Sequence, residues 1–243
     1  MAIDFAAASS EYYVPATFID DTLTTYSVMG WCHFSDNGAT QTIWAARETG
    51  VGSKGLLFRL SNSGISDRLI FSCRDNANNS ATAAGTTSSF PYDQWNFGMC
   101  VRDGNNTTII LNDFADEGNG SNTLGTISTG YEAIGATAGG DGSYTSFADG
   151  AIAELAAWNV ALTDPEISIL AKGFSPLFVR PQNLISYRPF ISLGSDQIDR
   201  VATNALTKAG TPTTFASHPR IIYPSSYLIH KPIPRRSFGY IVG

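Results

Sequence analysis

The feature that most constrains this chain is a recurrence of short apolar runs, each bounded by turn-forming residues. They span 2–5 (AIDF), 26–34 (YSVMGWCHF), 41–47 (QTIWAAR), 55–61 (GLLFRLS), 68–74 (RLIFSCR), 94–102 (QWNFGMCVR), 107–112 (TTIILN), 131–135 (YEAIG) and 151–159 (AIAELAAWN). Successive side chains of a strand face opposite ways, so a period of two marks a sheet with one face buried. In 26–34, Tyr26, Val28, Gly30, Cys32 and Phe34 share one side, and Ser27, Met29, Trp31 and His33 the other. Asp103-Gly104 followed by Asn105-Asn106 predicts a hairpin between two of the strongest runs. Runs this short and this numerous build a two-sheet sandwich or jelly roll.

Composition supports an all-β chain. Of 243 residues, 43% are hydrophobic and 15% charged, the latter below the roughly 25% of an average globular protein. Ample apolar surface and a net charge of −6 exclude disorder as the main state. Ser, Thr, Asn and Gly crowd the sequence where a helical bundle would carry Ala, Glu, Lys and Leu. One helix is predicted. Thr163-Asp164-Pro165-Glu166 supplies an N-cap, a first-turn proline and a Glu three residues after the Thr; Ile167, Leu170 and Ala171 form its apolar face, and Gly173 ends it.

Charge divides the chain unevenly. Residues 1–174 hold 7 Lys+Arg and 19 Asp+Glu, whereas 175–243 hold 8 Lys+Arg, only Asp196 and Asp199, and 8 of the 11 prolines. This predicts a β-sandwich over 1–174, folding independently, and an extended, proline-rich basic C-terminal arm over 175–243. Cys32, Cys73 and Cys100 each lie inside an apolar run and form no C-x-x-C pair, which points to buried thiols rather than a disulfide framework or a zinc site. The start, Met-Ala-Ile-Asp-Phe, has no basic region before a long apolar core, and no run reaches the length of a membrane span. The expectation is synthesis in a reducing cytoplasm, with the Asn-x-Ser/Thr triplets at Asn78, Asn105, Asn106 and Asn119 arising by chance.

Beside these readings, several blocks resemble the laminin-G/concanavalin-A-like lectin superfamily, in the variety found in tailed-phage virion proteins. They are Ala2-Ile3-Asp4-Phe5 with Tyr12-Tyr13-Val14-Pro15, the strand Tyr26 to Trp31, and Trp95 to Asn112. The most specific is Asp149-Gly150-Ala151-Ile152-Ala153-Glu154-Leu155 with Trp158-Asn159-Val160-Ala161-Leu162-Thr163-Asp164. The resemblance covers about residues 2–172 and implies a jelly-roll sandwich of two antiparallel sheets. The chain departs from the family pattern at Ala6-Ala7, Glu11 and Ala153, where some relatives carry calcium-binding carboxylates. The segments Gly173 to Pro189 and His218 to Pro224 resemble the stretch C-terminal to such domains in phage proteins.

Catalysis is not expected. Retaining glucanases on this fold carry Glu-x-Asp-x-x-Glu, which sets two carboxylates close together on one strand face; no Glu here has an Asp two residues later. Gly50-Val51-Gly52-Ser53-Lys54-Gly55 satisfies G-x-G-x-x-G but leads into the strand-like Leu56–Leu60 rather than a helix, so it reads as a hairpin loop. His33, His218 and His230 are too scattered for a triad. Two readings stand for the loop acids Asp113, Asp116, Glu117, Asp141 and Asp149: a calcium site, since calcium takes oxygen-rich loops, or solvated carboxylates. Tyr144 and Trp44 are candidates for sugar stacking or for ordinary packing. No cofactor is expected beyond that calcium.

The tail reads as an interface. Its aromatic anchors are Tyr187, Tyr223, Tyr227, Phe238 and Tyr240, and its cations Arg180, Arg188, Arg220, Arg235 and Arg236. An acidic body would repel phosphate, so nucleic acid is not an expected partner, nor is a membrane. The resemblance implies a structural virion protein made in a bacterial cytoplasm. Such a protein would be a capsid decoration (cement) protein docking on major capsid or other virion proteins, a homo-oligomer with a trimer as one option. The alternative is a carbohydrate-binding or host-adhesion module of a phage tail or fibre.

Overall fold

The computed structural model describes residues 2–15, 19, 22–48, 54–62, 67–86, 89–191, 199–202, 206–215 and 217–224. The chain begins with β1 (Ala2–Phe5), β2 (Tyr12–Pro15), β3 (Thr25–Phe34) and β4 (Gln41–Arg47), then β5 (Gly55–Asn62), β6 (Asp67–Arg74) and β7 (Ser80–Ala84). Next come β8 (Asn96–Asp103), β9 (Asn106–Leu111), β10 (Asp116–Ser121), β11 (Tyr131–Ile134), and the short pair β12 (Thr137–Ala138) and β13 (Tyr144–Thr145). The long β14 (Gly150–Trp158) leads into α1 (Asp164–Ala171), and the chain continues through β15 (Leu184–Arg188), β16 (Leu206–Ala209) and β17 (Thr213–Phe215). Two large sheets result, one ordered β10-β9-β8-β3-β14-β1-β17 with β15 also on β14, the other β16-β2-β11-β4-β5-β6-β7. Every pairing between named strands is antiparallel, as the alternating runs predict.

The main core lies between the sheets. Tyr26, Val28, Cys32 and Phe34 of β3 meet Trp44, Phe58, Leu60 and Phe71 of the facing sheet there. Burying one such side chain contributes roughly 1.5–3 kcal/mol. The opposite face of β3 is covered as well: Met29 joins Phe97, Met99 and Trp158 in a second core beneath Ile167 and Leu170 of α1. The eight-stranded sheet is therefore the middle layer of three. The 103–106 hairpin is present, with Asp103 opposite Asn106 and Gly104 at φ 59, a left-handed value at a position where glycine meets no Cβ penalty.

Helix α1 starts as predicted. The Thr163 N–H donates to Glu166 Oε2 at 2.8 Å, and Gly173 lies just past the helix at φ 85. All three thiols are buried and unpaired. Residues 49–53, most of the glycine-rich loop, lie outside the described residues.

The expected boundary at 174 does not hold. Strand β15 pairs with β14, β17 with β1, and β16 with β2, so these three strands extend both sheets instead of leaving the body as an arm. The reason is unpaired backbone: β14 has an edge free beyond β1, and β1 and β2 would otherwise expose theirs, which costs hydrogen bonds wherever water is excluded. Pro181 and Pro189 flank β15, and Pro212 lies between β16 and β17, so these prolines punctuate strands.

Candidate functional site

The acids proposed for calcium do not converge. Asp113 accepts the Ser168 hydroxyl at 2.5 Å and sits 3.7 Å from Lys172 Nζ. Asp116 is buried and accepts both the N–H and the hydroxyl of Thr86 at 2.8 Å. Its neighbour Glu117 is exposed and accepts from Asn119 at 3.0 Å. Asp141 accepts from its own loop, through Ser143 N–H at 2.9 Å. Asp149 is placed by backbone bonds to Gln41 and Ser35. Among the described residues no three His, Cys, Asp or Glu side chains group to hold a metal. Four of these carboxylates have protein donors of their own.

The proposed interface residues separate likewise. Tyr187 and Arg188 are each 1% exposed, so neither is available to a partner. Arg188 lies 3.6 Å from Asp199 in a fully buried ion pair. Asp199 also accepts from the Ser186 hydroxyl and from the backbone N–H groups of Tyr187, Val201 and Ala202. Arg180 is bound at 2.5 Å to Glu166 of α1. Burial works against the Glu166 charge, but hydrogen bonds from Arg180 and Thr163 outweigh it and hold the carboxyl below its usual range. Arg220 and Tyr223 are exposed. Tyr227, Arg235, Arg236, Phe238 and Tyr240, with His230, lie outside the described residues. Trp44 is fully buried and cannot stack on a sugar, whereas half-buried Tyr144 stacks on Tyr12 with ring centroids 4.1 Å apart.

Glu154, in the block most like the family, anchors the C-terminal segment. It occupies a bulge where β14 shifts register against β3 between Ala153 and Ala156, with φ 55 and no exposed surface. The Tyr187 and Tyr223 hydroxyls both donate to its carboxylate at 2.6 Å, and His218 Nε2 lies 3.3 Å away. Burial, and after it the Glu154 charge, raises both phenol pKa values. A cleft of about 370 Å³ opens beside this cluster, lined by Leu177, Tyr187, Pro189, Ile191, Arg200 and Tyr223. Both phenols at its wall are already committed to Glu154.

The outer face of the seven-stranded sheet carries a group of arginines. Ala46, Phe58 and Cys73 point into the main core, so alternation puts Arg47 of β4, Arg59 of β5 and Arg74 of β6 on the opposite face. Arg47 and Arg74 are the cross-strand neighbours of Gly55 on its two sides, and a glycine places no side chain between them. Arg47 is 8% exposed, yet its Nε and Nη1 have no hydrogen-bond partner among the described residues, nor does Nε of Arg59. Burial, then the like charges of Arg59 and Arg74, push the Arg47 guanidinium down to about 10; burial lowers Arg59 as well.

Next to Arg47 in register on β11 is Tyr131. It belongs to a half-buried aromatic group with Tyr12, Tyr144 and Phe147, packed over Ala133, Ala136 and Ala138. Sequence reasoning missed this face. A parity signal existed, since each arginine falls out of phase with the core-facing residues of its strand, but nothing local says that β4, β5, β6 and β11 are adjacent.

Comparison with known proteins sets this geometry in context. No curated protein matches the sequence. Among solved structures, a Bacteroides ovatus ATCC 8483 protein assigned to carbohydrate binding aligns with TM-score 0.63 and 16% identity over 89% of this chain, which spans 60% of that protein's length. The heptameric SAP-like pentraxin of Limulus polyphemus aligns with TM-score 0.62 and 14% identity, over 90% of this chain and 96% of the pentraxin. The CBM40 of Ruminococcus gnavus IT-sialidase, bound to α2,3-sialyllactose, aligns with TM-score 0.53 and 13% identity, over 62% of this chain and 84% of that domain. At these identities the likeness establishes the fold. Residues 8–168 match the Laminin_G_3 family model, and the chain belongs to that family of the concanavalin A-like lectin/glucanases superfamily.

Proposed function

We propose that this protein is a non-catalytic carbohydrate-binding module whose saccharide site is the outer face of the seven-stranded sheet, around β4, β5 and β11. The observation that carries the reading is a half-buried aromatic group adjoining arginines whose buried N–H donors have no partner among the described residues. Sugars are recognised by that combination: an aromatic face takes the apolar side of a ring, and fixed donors take its oxygens. The assignment of the Bacteroides protein to carbohydrate binding and the complex of the Ruminococcus module with α2,3-sialyllactose support the reading. Virion docking by a C-terminal arm has less to stand on, because Tyr187 and Arg188 are buried and β15, β16 and β17 belong to the sheets.

The test is a glycan array probed with the full chain and with Tyr131→Ala. The expected outcome is binding to a defined saccharide set, reduced about tenfold or more by the substitution. An array with no binding by the folded protein overturns the reading.

A further inference from the structure

We propose that this face selects acidic saccharides, with Arg47 and Arg59, supported by Arg74, taking a sugar carboxylate while the ring packs against Tyr131. The inference rests on the carbohydrate-binding reading above and narrows it to one chemical class. Three cations share one sheet face, and the like charges of Arg59 and Arg74 act on Arg47. Among the described residues, neither Arg47 nor Arg59 has an ion-pair partner. Glu48, next in sequence to Arg47, pairs with Lys54 at 3.2 Å.

Withdrawing an unpaired guanidinium from water is unfavourable by itself, and like charges beside it add to the cost. Such an arrangement is relieved by an anion. The guanidinium presents its donors as a planar fork, which matches a carboxylate in a bidentate pair. Two buried donor atoms of Arg47 and one of Arg59 have no hydrogen-bond partner among the described residues. Tyr131, across the strand pair from Arg47, places an aromatic ring where the rest of the sugar would lie. A neutral sugar would leave the charges of Arg47 and Arg59 uncompensated, so selectivity should track charge more than sugar identity.

The experiment measures binding of the full chain by calorimetry to paired probes: trigalacturonate against its methyl ester, and 3′-sialyllactose against lactose. Inorganic phosphate at matched ionic strength is the third arm. The proposal expects an acidic probe to bind at least tenfold more tightly than its neutral partner and than phosphate, weakening as salt rises. Arg47→Gln and Arg59→Gln should each reduce that preference about tenfold. Circular dichroism and thermal melting should show both variants folded, and Arg59→Gln, at the less buried position, decides the matter should Arg47→Gln fail to fold.

Equal affinity for acidic and neutral partners would overturn the charge inference and leave the carbohydrate reading in place. Phosphate binding as tightly as the acidic sugars would overturn it too, by showing a bare anion site. An acid preference that survives both substitutions would remove it from this face. Failure of every sugar, here and on the array, would overturn the function and the inference together.

Discussion

At the scale of single residues, two buried charges illustrate opposite solutions to one physical problem. Arg188 is compensated: Asp199 faces it, and four further donors hold that carboxylate in place. Asp199→Ala should therefore cost about 3–5 kcal/mol, because it strands a buried guanidinium, and chemical denaturation would measure the loss. Arg47 has no such partner among the described residues, so Arg47→Met should leave stability unchanged or raise it; a large loss would reveal an internal partner. The thiols supply a pH test. Burial raises all three, with Cys73 pushed up to about 11 against an ordinary value of 9.0. Between those values the unfolded chain has lost the Cys73 proton and the folded chain keeps it. Stability should thus be intact below pH 9 and fall above it, by about 1.4 kcal/mol per pH unit for each thiol in its window. Denaturation midpoints from pH 7 to 11 would show the decline, and thiol reagents should not label the folded protein at pH 7. Burial of these cysteines was legible from their place in apolar runs. The fate of Arg188 was not, because its partner lies 11 residues on in sequence.

At the scale of elements, α1 and the β14 bulge tie the layers together. Helix α1 is held by its capping residues and by the Glu166–Arg180 pair. Thr163→Ala should cost about 1 kcal/mol. The Glu166 carboxyl is held below its ordinary 4.5, so its contribution is complete above that pH and is lost as pH falls through the lowered value. An acid titration should accordingly destabilise the parent more than Glu166→Gln. The helix start was readable from four consecutive residues, since capping is local chemistry. The bulge was not. The run 151–159 reads as plain alternation, yet Ile152 and Leu155, three apart, both face the main core, and only an extra residue at Glu154 permits that. Gly30, opposite the bulge, helps accommodate it, since a Cβ there would lie 3.2 Å from Leu155. Glu154→Ala should leave the buried Tyr187 hydroxyl without its acceptor, costing about 1–3 kcal/mol, and should loosen the segment around Tyr223, detectable as faster amide exchange there.

At the scale of the whole molecule, the C-terminal third decides how the protein holds together. A chain ending at residue 174 lacks β15, β16 and β17, uncovers edges of β14, β1 and β2, and exposes the core surface covered by Leu184 and Tyr187. It should be recovered aggregated or with its melting transition lost, and a soluble, cooperatively melting fragment would contradict that dependence. Sequence alone determined the fold class, the strand runs, the helix cap, the buried cysteines and the family block at 149–164, because alternation, capping and turn chemistry act over a few neighbouring residues. Tertiary structure alone decided three matters: that a proline-rich, basic segment completes both sheets, that the loop acids are spread among separate partners, and that three arginines far apart in sequence share one face. Each depends on which strands become neighbours. That choice is made by long-range pairing of backbone edges and burial of faces, which no local pattern of residues records.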